Sequence, residues 1–203
     1  PSTANPGQLQ LTIDGKTDIM HTPAVSGSRN SSSPLTFAFS HKLCLLQFYV
    51  KASALPAVTS ALWGKISNIT IVNQNTQYTL TLPSTGTFGG TAGNINTWTA
   101  ADGVPAGTSI PTDGSSAFVG QALVQPAPYV QSLPLLGKNG NYVITFKAAA
   151  TGLTYTLNIG TSNSTTTVAG NTHVITLSFL AVLPTKSTAD SIDNLPALEV
   201  DFQ

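Results

Sequence analysis

The sequence predicts an all-β protein built from β-sandwiches, with mostly antiparallel strands and at most one or two short helices. A long apolar run, residues 35–50, holds one full charge, Lys42, and no Gly or Pro. Period-2 alternation of apolar and polar residues recurs along the chain, while helical periodicity is absent. Asp-Gly and Asn-Gly pairs separate the alternating runs and are typical of tight turns. Together these observations favour a sandwich.

The apolar run at residues 35–50 is the strongest single signal. It is shorter than the roughly 20 apolar residues that cross a bilayer, and Ser40, His41 and Gln47 interrupt it. We therefore predict one long strand, buried on most of both faces, as the spine of the sandwich. Cys44, the only cysteine, lies in this run and is expected to be a small buried hydrophobe. A single cysteine excludes an internal disulfide and a cysteine-based zinc site.

The remaining strands are predicted from composition and alternation. Residues rich in Thr, Val, Ile and Tyr alternate with polar ones where one face of a strand is buried. Such runs cover 8–14, 68–73, 78–82 and 153–159, while 118–124 and 197–202 complete the series. The runs at 142–147 and 173–182 are apolar on both faces and predict interior strands.

Two short segments have helical features. Residues 52–63 carry Pro56 in the expected first turn, and Gly64 stands where a C-cap would lie. Residues 187–194 could add one further turn. The sequence therefore predicts one helix of about two to three turns and little else that is helical.

A boundary between two domains is predicted near residue 115. Residues 86–116 are rich in Gly, Thr, Asn, Pro and Ser, and Trp98 is their only large anchor. Long connections without secondary structure are uncommon inside a compact domain, so this stretch is interpreted as a linker or a mobile loop. The division gives an N-terminal β-sandwich domain at 1–115 and a C-terminal β-sandwich domain at 116–203.

Composition excludes several classes of partner. Charged residues make up 8% of the chain and the formal net charge is zero, so no basic surface for nucleic acid or anionic lipid is expected. Such a surface suits a molecule outside the cell or one packed into an assembly. The chain begins with PSTANPG, which is typical of a processed product, so we expect any targeting segment upstream.

No catalytic, cofactor or metal residues are predicted. His21, His41 and His173 are far apart and have no further ligand at metal-binding spacing, and no Gly-x-Ser-x-Gly motif occurs. Asp190 and Asp193 could cap a helix or hold a cation, but they lack the calcium-loop pattern. A hydrolase would need two carboxylates facing each other across a groove, and this alternative stays open.

A few individual residues suggest two further sites. Trp63, Trp98 and Tyr129 could form an aromatic platform for a sugar ring, although each tryptophan could equally cover an edge of the core. Arg29, the only arginine, lies in a loop of small polar residues of the kind that proteases cleave. It is therefore a candidate processing point.

Several phrases, taken in order, resemble the fimbrillin-like (Mfa-like, type V pilin) family of anaerobic gut and oral bacteria. The first is Thr17-Asp18-Ile19-Met20, and the second is the run at 35–50, with Phe39 and His41 at the family's Phe and His. Residues 66–71, 137–146 and 169–177 resemble later strands of the family. Family members carry several strands before the first phrase, so an N-terminal domain that is compact or incomplete is expected.

The resemblance implies a fimbrial subunit on the cell surface, with sandwich domains of transthyretin-like topology. It also implies export as a lipoprotein, proteolytic removal of a leading segment and assembly by strand donation, in which one subunit completes another's sheet. Membrane contact would then occur only through an upstream lipid anchor at the outer membrane, because Cys44 lies in a core strand.

We therefore expect a non-enzymatic adhesion subunit whose partners are other fimbrial subunits and a host or bacterial surface protein or glycan. The alternative is a carbohydrate-binding module of a surface glycan-capture system. Two segments are candidate exchange strands because they alternate and lie near the termini. They contain Gln8, Leu9, Leu11 and Ile13 in the first and Leu198, Val200 and Phe202 in the second.

Overall fold

A computed structural model describes residues 7–30, 34–82, 85–99, 107–126, 142–159, 166–182 and the backbone of 198–202. This part of the chain forms fourteen strands and one α-helix. The first strands are β1 (Gln8–Thr12), β2 (Met20–His21), β3 (Ser40–His41) and β4 (Cys44–Ala52), and helix α1 (Pro56–Trp63) follows them. Next come β5 (Lys65–Gln74), β6 (Gln77–Thr81), β7 (Thr85–Gly89), β8 (Gly93–Asn96) and β9 (Thr108–Ser109). The last are β10 (Ser116–Val124), β11 (Tyr142–Ala148), β12 (Thr154–Ile159), β13 (Thr172–Phe179) and β14 (Leu198–Phe202).

The strands form three larger sheets and one short pair. A four-stranded sheet has the order β10-β4-β13-β14, and a five-stranded sheet has the order β12-β11-β5-β8 with β9 also on β5. A three-stranded sheet has the order β1-β6-β7, and β2 pairs with β3. The strand pairs are antiparallel except β4 with β13, which run parallel. The predicted all-β class is confirmed.

An aromatic cluster joins the two larger sheets. Phe146 on β11 meets Phe179 on β13 edge to face, with ring centroids 5.7 Å apart. The indole of Trp63 packs against Phe179 and Tyr155 at 4.8 and 5.2 Å. The two sheets therefore bury a common core between them, as the sandwich prediction requires.

The predicted spine strand at residues 35–50 is wrong in its first half. Strand β4 begins only at Cys44, and its side chains alternate between fully and partly buried. Leu35, Phe37 and Phe39 lie outside the ladders and are exposed. The physical reason is pairing: β4 has β10 on one side and β13 on the other, whereas residues 35–39 have no neighbouring strand among the described ones.

The predicted boundary near residue 115 does not separate the sheets among the described residues. Strand β10 pairs with β4, and β11 pairs with β5, so strands from both sides of the boundary share two sheets. Their buried side chains belong to one hydrophobic cluster. Each of the two larger sheets therefore contains strands from both sides of residue 115.

The supposed linker at 86–116 contributes strands β7, β8 and β9. Threonine favours extended backbone, and glycine here has a packing role. A Cβ on Gly86 would lie 1.9 Å from the Tyr78 hydroxyl, so only glycine lets β7 pass over that ring. The glycine content suggested a loop, because composition alone does not show that a glycine is needed where β7 passes close to the Tyr78 ring.

The predicted helix is confirmed, but it begins later than residue 52. Strand β4 extends through Ala52, and the helix begins at Pro56 and ends at Trp63, where the Gly64 N–H donates to the Ser60 carbonyl at 2.9 Å. Gly64 has φ +68°, a conformation that glycine adopts without strain. The predicted turn at 187–194 lies outside the described residues.

Candidate functional site

The first predicted exchange strand lies at the edge of a sheet. Strand β1 pairs only with β6 among the described strands, with Leu9 opposite Leu80 and Leu11 opposite Tyr78. Leu9 is 38% exposed, whereas Ile13 just after the strand is buried in the core. The backbone N–H of Ile13 also donates to the carbonyl of Thr76 at 2.8 Å. This end of the chain is therefore an edge strand with one firm anchor.

The second predicted exchange strand, β14, lies at the edge of the four-stranded sheet. Its register on β13 places Leu198 opposite Phe179 and Phe202 opposite Ile175. The paired ends are adjacent, yet residues 180–197 connect them. As few as two to five residues are enough to join antiparallel neighbours, so this connection is much longer than the pairing requires.

Between these two strands in sequence lies a segment that we call the arm, residues 20–30 and 34–41, whose side chains are exposed except for the partly buried His21 and Thr22. Its base is the β2–β3 pair, where Met20 faces His41 and His21 faces Ser40. The two runs meet again where Leu35 packs over Gly27, since a Cβ on Gly27 would lie 2.9 Å from a Leu35 methyl carbon. Arg29 lies in the exposed turn at the far end. The predicted processing point therefore lies at an exposed position in the described part of the chain.

Side chains fasten the arm at its base. Asp18 forms an ion pair with Nδ1 of His41, and the backbone N–H of Lys42 donates to the Ile19 carbonyl at 2.8 Å. The hydroxyl of Tyr78 lies 3.2 Å from Nδ1 of His21, which links the arm to β6. Burial raises the pKa of the Tyr78 hydroxyl. The base of the arm is thus fixed to the sandwich while its outer part is exposed.

A stripe of large apolar side chains lies in the second half of the arm, between residue 34 and β3. Leu35, Phe37 and Phe39 are 48%, 53% and 59% exposed. They alternate with Thr36 and Ala38, as residues on one face of an extended segment do. Sequence reasoning missed this stripe because it merged it with β4, although the polar break at Ser40, His41 and Lys42 was a usable signal.

The remaining polar candidates have structural surroundings. Nε2 of His173 accepts the backbone N–H of Val168 at 3.1 Å, and burial lowers the pKa of this histidine. Cys44 is fully buried, with its Sγ 3.5 Å from the Tyr142 hydroxyl, and burial raises its pKa. The prediction that Cys44 is a buried hydrophobe is confirmed.

Two of the described carboxylates hold turns. Partial burial acts to raise the pKa of Asp14, but hydrogen bonds from Thr17 and Lys16 outweigh it and lower that pKa. Hydrogen bonds from the Ser115 hydroxyl and N–H lower the pKa of Asp113. Within the described residues no three His, Cys, Asp or Glu side chains cluster closely enough to hold a metal ion. Asp190 and Asp193 lie outside this part.

The predicted glycan platform is contradicted at Trp63. That indole is fully buried and donates its N–H to the Leu180 carbonyl at 2.9 Å. Trp98 is partly buried and donates to the Gly15 carbonyl at 2.7 Å. Tyr129 lies outside the described residues. Trp63 therefore anchors the core, since burial removes it from any surface.

No helix in the described part of the chain is long and apolar enough to cross a membrane. No family model matches the sequence, and no curated protein matches it. A crystal structure of a protein from Bacteroides uniformis, provisionally named a cell adhesion protein, is similar in fold, with a TM-score of 0.58. It is 20% identical, and the match covers 100% of this chain and 67% of that one. At this identity the match supports a shared fold.

Proposed function

We propose that this chain is a non-enzymatic subunit of a cell-surface adhesion structure, of the fimbrillin-like type, and that copies assemble by strand donation. The observation that carries the proposal is the position of β14, an edge strand on an unusually long connection. A strand that leaves its own sheet can occupy the same place in a neighbouring copy, which is domain swapping.

Geometry allows this exchange. Residues 180–197, about 18 residues, could span roughly 60 Å when extended, which exceeds the distance between adjacent small domains. The exchanged strand would make the same backbone hydrogen bonds to β13 that it makes within one chain. Because no new type of contact is needed, assembly would depend mainly on the effective concentration of copies.

The proposal extends to location and partners. We propose export to the outer membrane, with an upstream lipid anchor as the only membrane contact, and other fimbrial subunits as the main partners. A host or bacterial surface protein or glycan is the proposed target of the assembled structure. The fold shared with a protein provisionally named for cell adhesion supports this assignment, and the burial of Trp63 weakens the alternative of a glycan-binding module.

Arg29 has the exposure that processing would need. It lies in a turn at the end of the arm, and residues 23–30 are all exposed. Cleavage there would separate residues 1–29 from the rest of the chain, and these include β1 and the buried Ile13 and Ile19. We propose that cleavage prepares the subunit for assembly, because loss of this segment would open the edge of β6.

Interchain disulfide trapping tests the strand exchange. Thr176 faces Asp201 across β13 and β14, so cysteines at these positions lie within bonding reach. Thr176→Cys and Asp201→Cys proteins, each with a distinguishable tag, are unfolded together, refolded and oxidised. The proposal predicts a mixed disulfide dimer, because each chain carries only one of the two new thiols.

A matched pair controls for random collisions. Gln47 faces Val174 in the parallel pair of β4 with β13, which lies inside the sheet and is not proposed to exchange. A mixture of Gln47→Cys and Val174→Cys proteins should therefore give no mixed dimer. Equal yields from both mixtures, or none from the first, would contradict strand donation by β14.

Limited digestion tests the processing point. An arginine-specific protease should cleave the native protein once, and mass spectrometry should find the large fragment beginning at Asn30. The Arg29→Gln variant should stay intact under the same conditions. Resistance of the native protein would show that the turn is not available to proteases.

A further inference from the structure

The segment that carries the stripe of Leu35, Phe37 and Phe39 has no strand beside it among the described residues. No backbone hydrogen bond joins residues 35–39 to another described residue. The segment nevertheless alternates large apolar and small residues in the manner of a strand. An exposed apolar patch of this kind marks an interaction surface on soluble proteins.

We propose that residues 35–39 of one copy add as a strand to the outer edge of β14 in a second copy and extend its four-stranded sheet. This inference rests on the proposed function, because it requires that copies assemble. It goes beyond that function by assigning a separate contact, which uses the opposite edge of β14 from the one that pairs with β13. A five-strand order across two copies would result, β10-β4-β13-β14-arm.

The two segments match in form. Among the described strands β14 pairs only with β13, so no described strand lies along its other edge, where a further strand can add. It has five residues, the same length as the stripe segment. The sequence of β14 also alternates, with Leu198, Val200 and Phe202 separated by Glu199 and Asp201. An added strand gains main-chain hydrogen bonds, and alternating side chains fix its register.

Charge favours a second copy as the occupant. Residues 19–101 contain no Asp or Glu, and their full charges are Arg29, Lys42, Lys51 and Lys65. Residues 187–203 contain no Lys or Arg, and they carry Asp190, Asp193, Glu199 and Asp201. The arm's one full charge, Arg29, is opposite in sign to Glu199 and Asp201 of β14, which favours contact between the arm of one copy and β14 of another.

Cross-linking between single-cysteine variants tests the contact. Phe37 and Val200 are the central residues of the two segments, so they meet in either strand orientation. A mixture of Phe37→Cys and Val200→Cys proteins should give a mixed disulfide dimer at least about ten-fold above the control mixture. The control pairs Val200→Cys with Leu55→Cys, since Leu55 is 65% exposed but lies before α1. Cys44 stays in all variants because it is buried.

A charge exchange gives an independent readout. Arg29→Asp should weaken self-association in sedimentation velocity, and the further change Asp201→Arg should restore it. The association should also weaken between 50 and 500 mM NaCl, as contacts between exposed charges do. Failure of the second change to restore association would overturn the proposed pairing of arm with β14.

The failure of this inference can be separated from failure of the proposed function. If Thr176→Cys and Asp201→Cys proteins give a mixed dimer while the Phe37→Cys mixture stays at the control level, strand donation stands and the arm contact is wrong. If neither mixture cross-links, both are wrong. If Phe37→Ser/Phe39→Ser leaves self-association unchanged but abolishes binding to lipid vesicles or glycans, another occupant covers the stripe and the inference is overturned.

Discussion

Two neighbouring segments of this chain, residues 35–39 and strand β4, are both rich in large apolar residues and have opposite environments. In β4 the side chains of Leu46, Phe48 and Val50 are fully buried. In the arm Phe37 and Phe39 are more than half exposed. Only a short polar break, Ser40-His41-Lys42, separates the two segments. Apolar content therefore does not explain which segment is buried.

Pairing explains the difference. Strand β4 lies between β10 and β13, so its backbone groups are satisfied on both edges and its inner face meets the second sheet. Residues 35–39 have no strand beside them in the described part, so they cannot enter the core without burying unpaired backbone groups. The comparison teaches that an extended apolar run needs a neighbouring strand before it can be buried, and either the same chain or another one can supply that strand.

The largest expected difference is in thiol reactivity. In a Phe37→Cys variant we expect one fast and one slow thiol toward a disulfide reagent at pH 8. The Phe37→Cys thiol should react at the rate of an exposed cysteine. Cys44 is fully buried with a raised pKa and reacts only after opening, so it should be slower by at least about a thousand-fold.

This comparison is measured at low protein concentration, where copies do not cover each other's arms. A Leu55→Cys variant gives the reference rate of an exposed thiol on another element, since Leu55 is 65% exposed. If the Phe37→Cys thiol reacted as slowly as Cys44, residues 35–39 would be covered within a single chain and the contrast would be lost.

Truncating one phenylalanine in each segment should affect stability very unequally. Phe48→Ala removes a fully buried ring from β4 and should lower the free energy of unfolding by about 3–5 kcal/mol. Phe37→Ala removes a ring that is 53% exposed and should change it by about 0.5 kcal/mol or less. Urea unfolding followed by tryptophan fluorescence measures both, because Trp63 reports on the core.

The unfolding slope must stay constant for the two values to be compared. A loss of more than about 2 kcal/mol in Phe37→Ala would show that the arm supports the sandwich of its own chain. That result would favour an internal role for the stripe over a role in assembly.

The sequence predicted the fold class and most strand positions because alternation is a local property. Residues 142–147 and 173–182 were predicted as interior strands, and β11 and β13 indeed lie between two neighbours. Neighbours themselves are not local: nothing near Phe39 or Cys44 specifies that β10 and β13 flank β4, which begins at Cys44, and leave Phe39 without a neighbouring strand. The parallel pairing of β4 with β13 and the single core across residue 115 were missed for the same reason.

Processing at Arg29 and exchange of β1 or β14 stay predictions. Arg29 is exposed, and β1 and β14 each pair with one strand among the described ones. Burial of Trp63 does not follow from the local sequence, because the indole contacts β12 and β13, which are distant in sequence. The sugar platform was wrong at Trp63 on this account.

A smaller effect is expected from pH, through the thiol at the start of β4. Burial raises the pKa of Cys44, so the folded protein keeps its proton at pH values where the unfolded chain, with a pKa of about 8.5, releases it. Stability from this group is present below about pH 8.5 and is lost as the pH rises toward the folded pKa. Urea midpoints between pH 7.5 and 9.5 should therefore fall.

The Cys44→Ala variant should show a flatter profile over that range. Tyr78 at the base of the arm, whose pKa burial also raises, contributes a similar loss only at higher pH, since an unfolded tyrosine ionises near pH 10. If the urea midpoint of Cys44→Ala fell equally with pH, groups outside β4 would cause the pH dependence. The Cys44 thiol would then not distinguish β4 from residues 35–39.

The smallest effect is expected at the junction of the two segments, where Asp18 pairs with His41. The side chains are 31% and 47% exposed, and exposed ion pairs contribute roughly 0.2–1 kcal/mol. A double-mutant cycle with Asp18→Asn and His41→Gln should therefore give a coupling energy below about 1 kcal/mol. The Lys42 N–H to Ile19 carbonyl bond, at 2.8 Å, remains in all variants and should keep the arm in register. A coupling above about 2 kcal/mol would instead mean that this side-chain pair decides where the exposed segment ends and the buried strand begins.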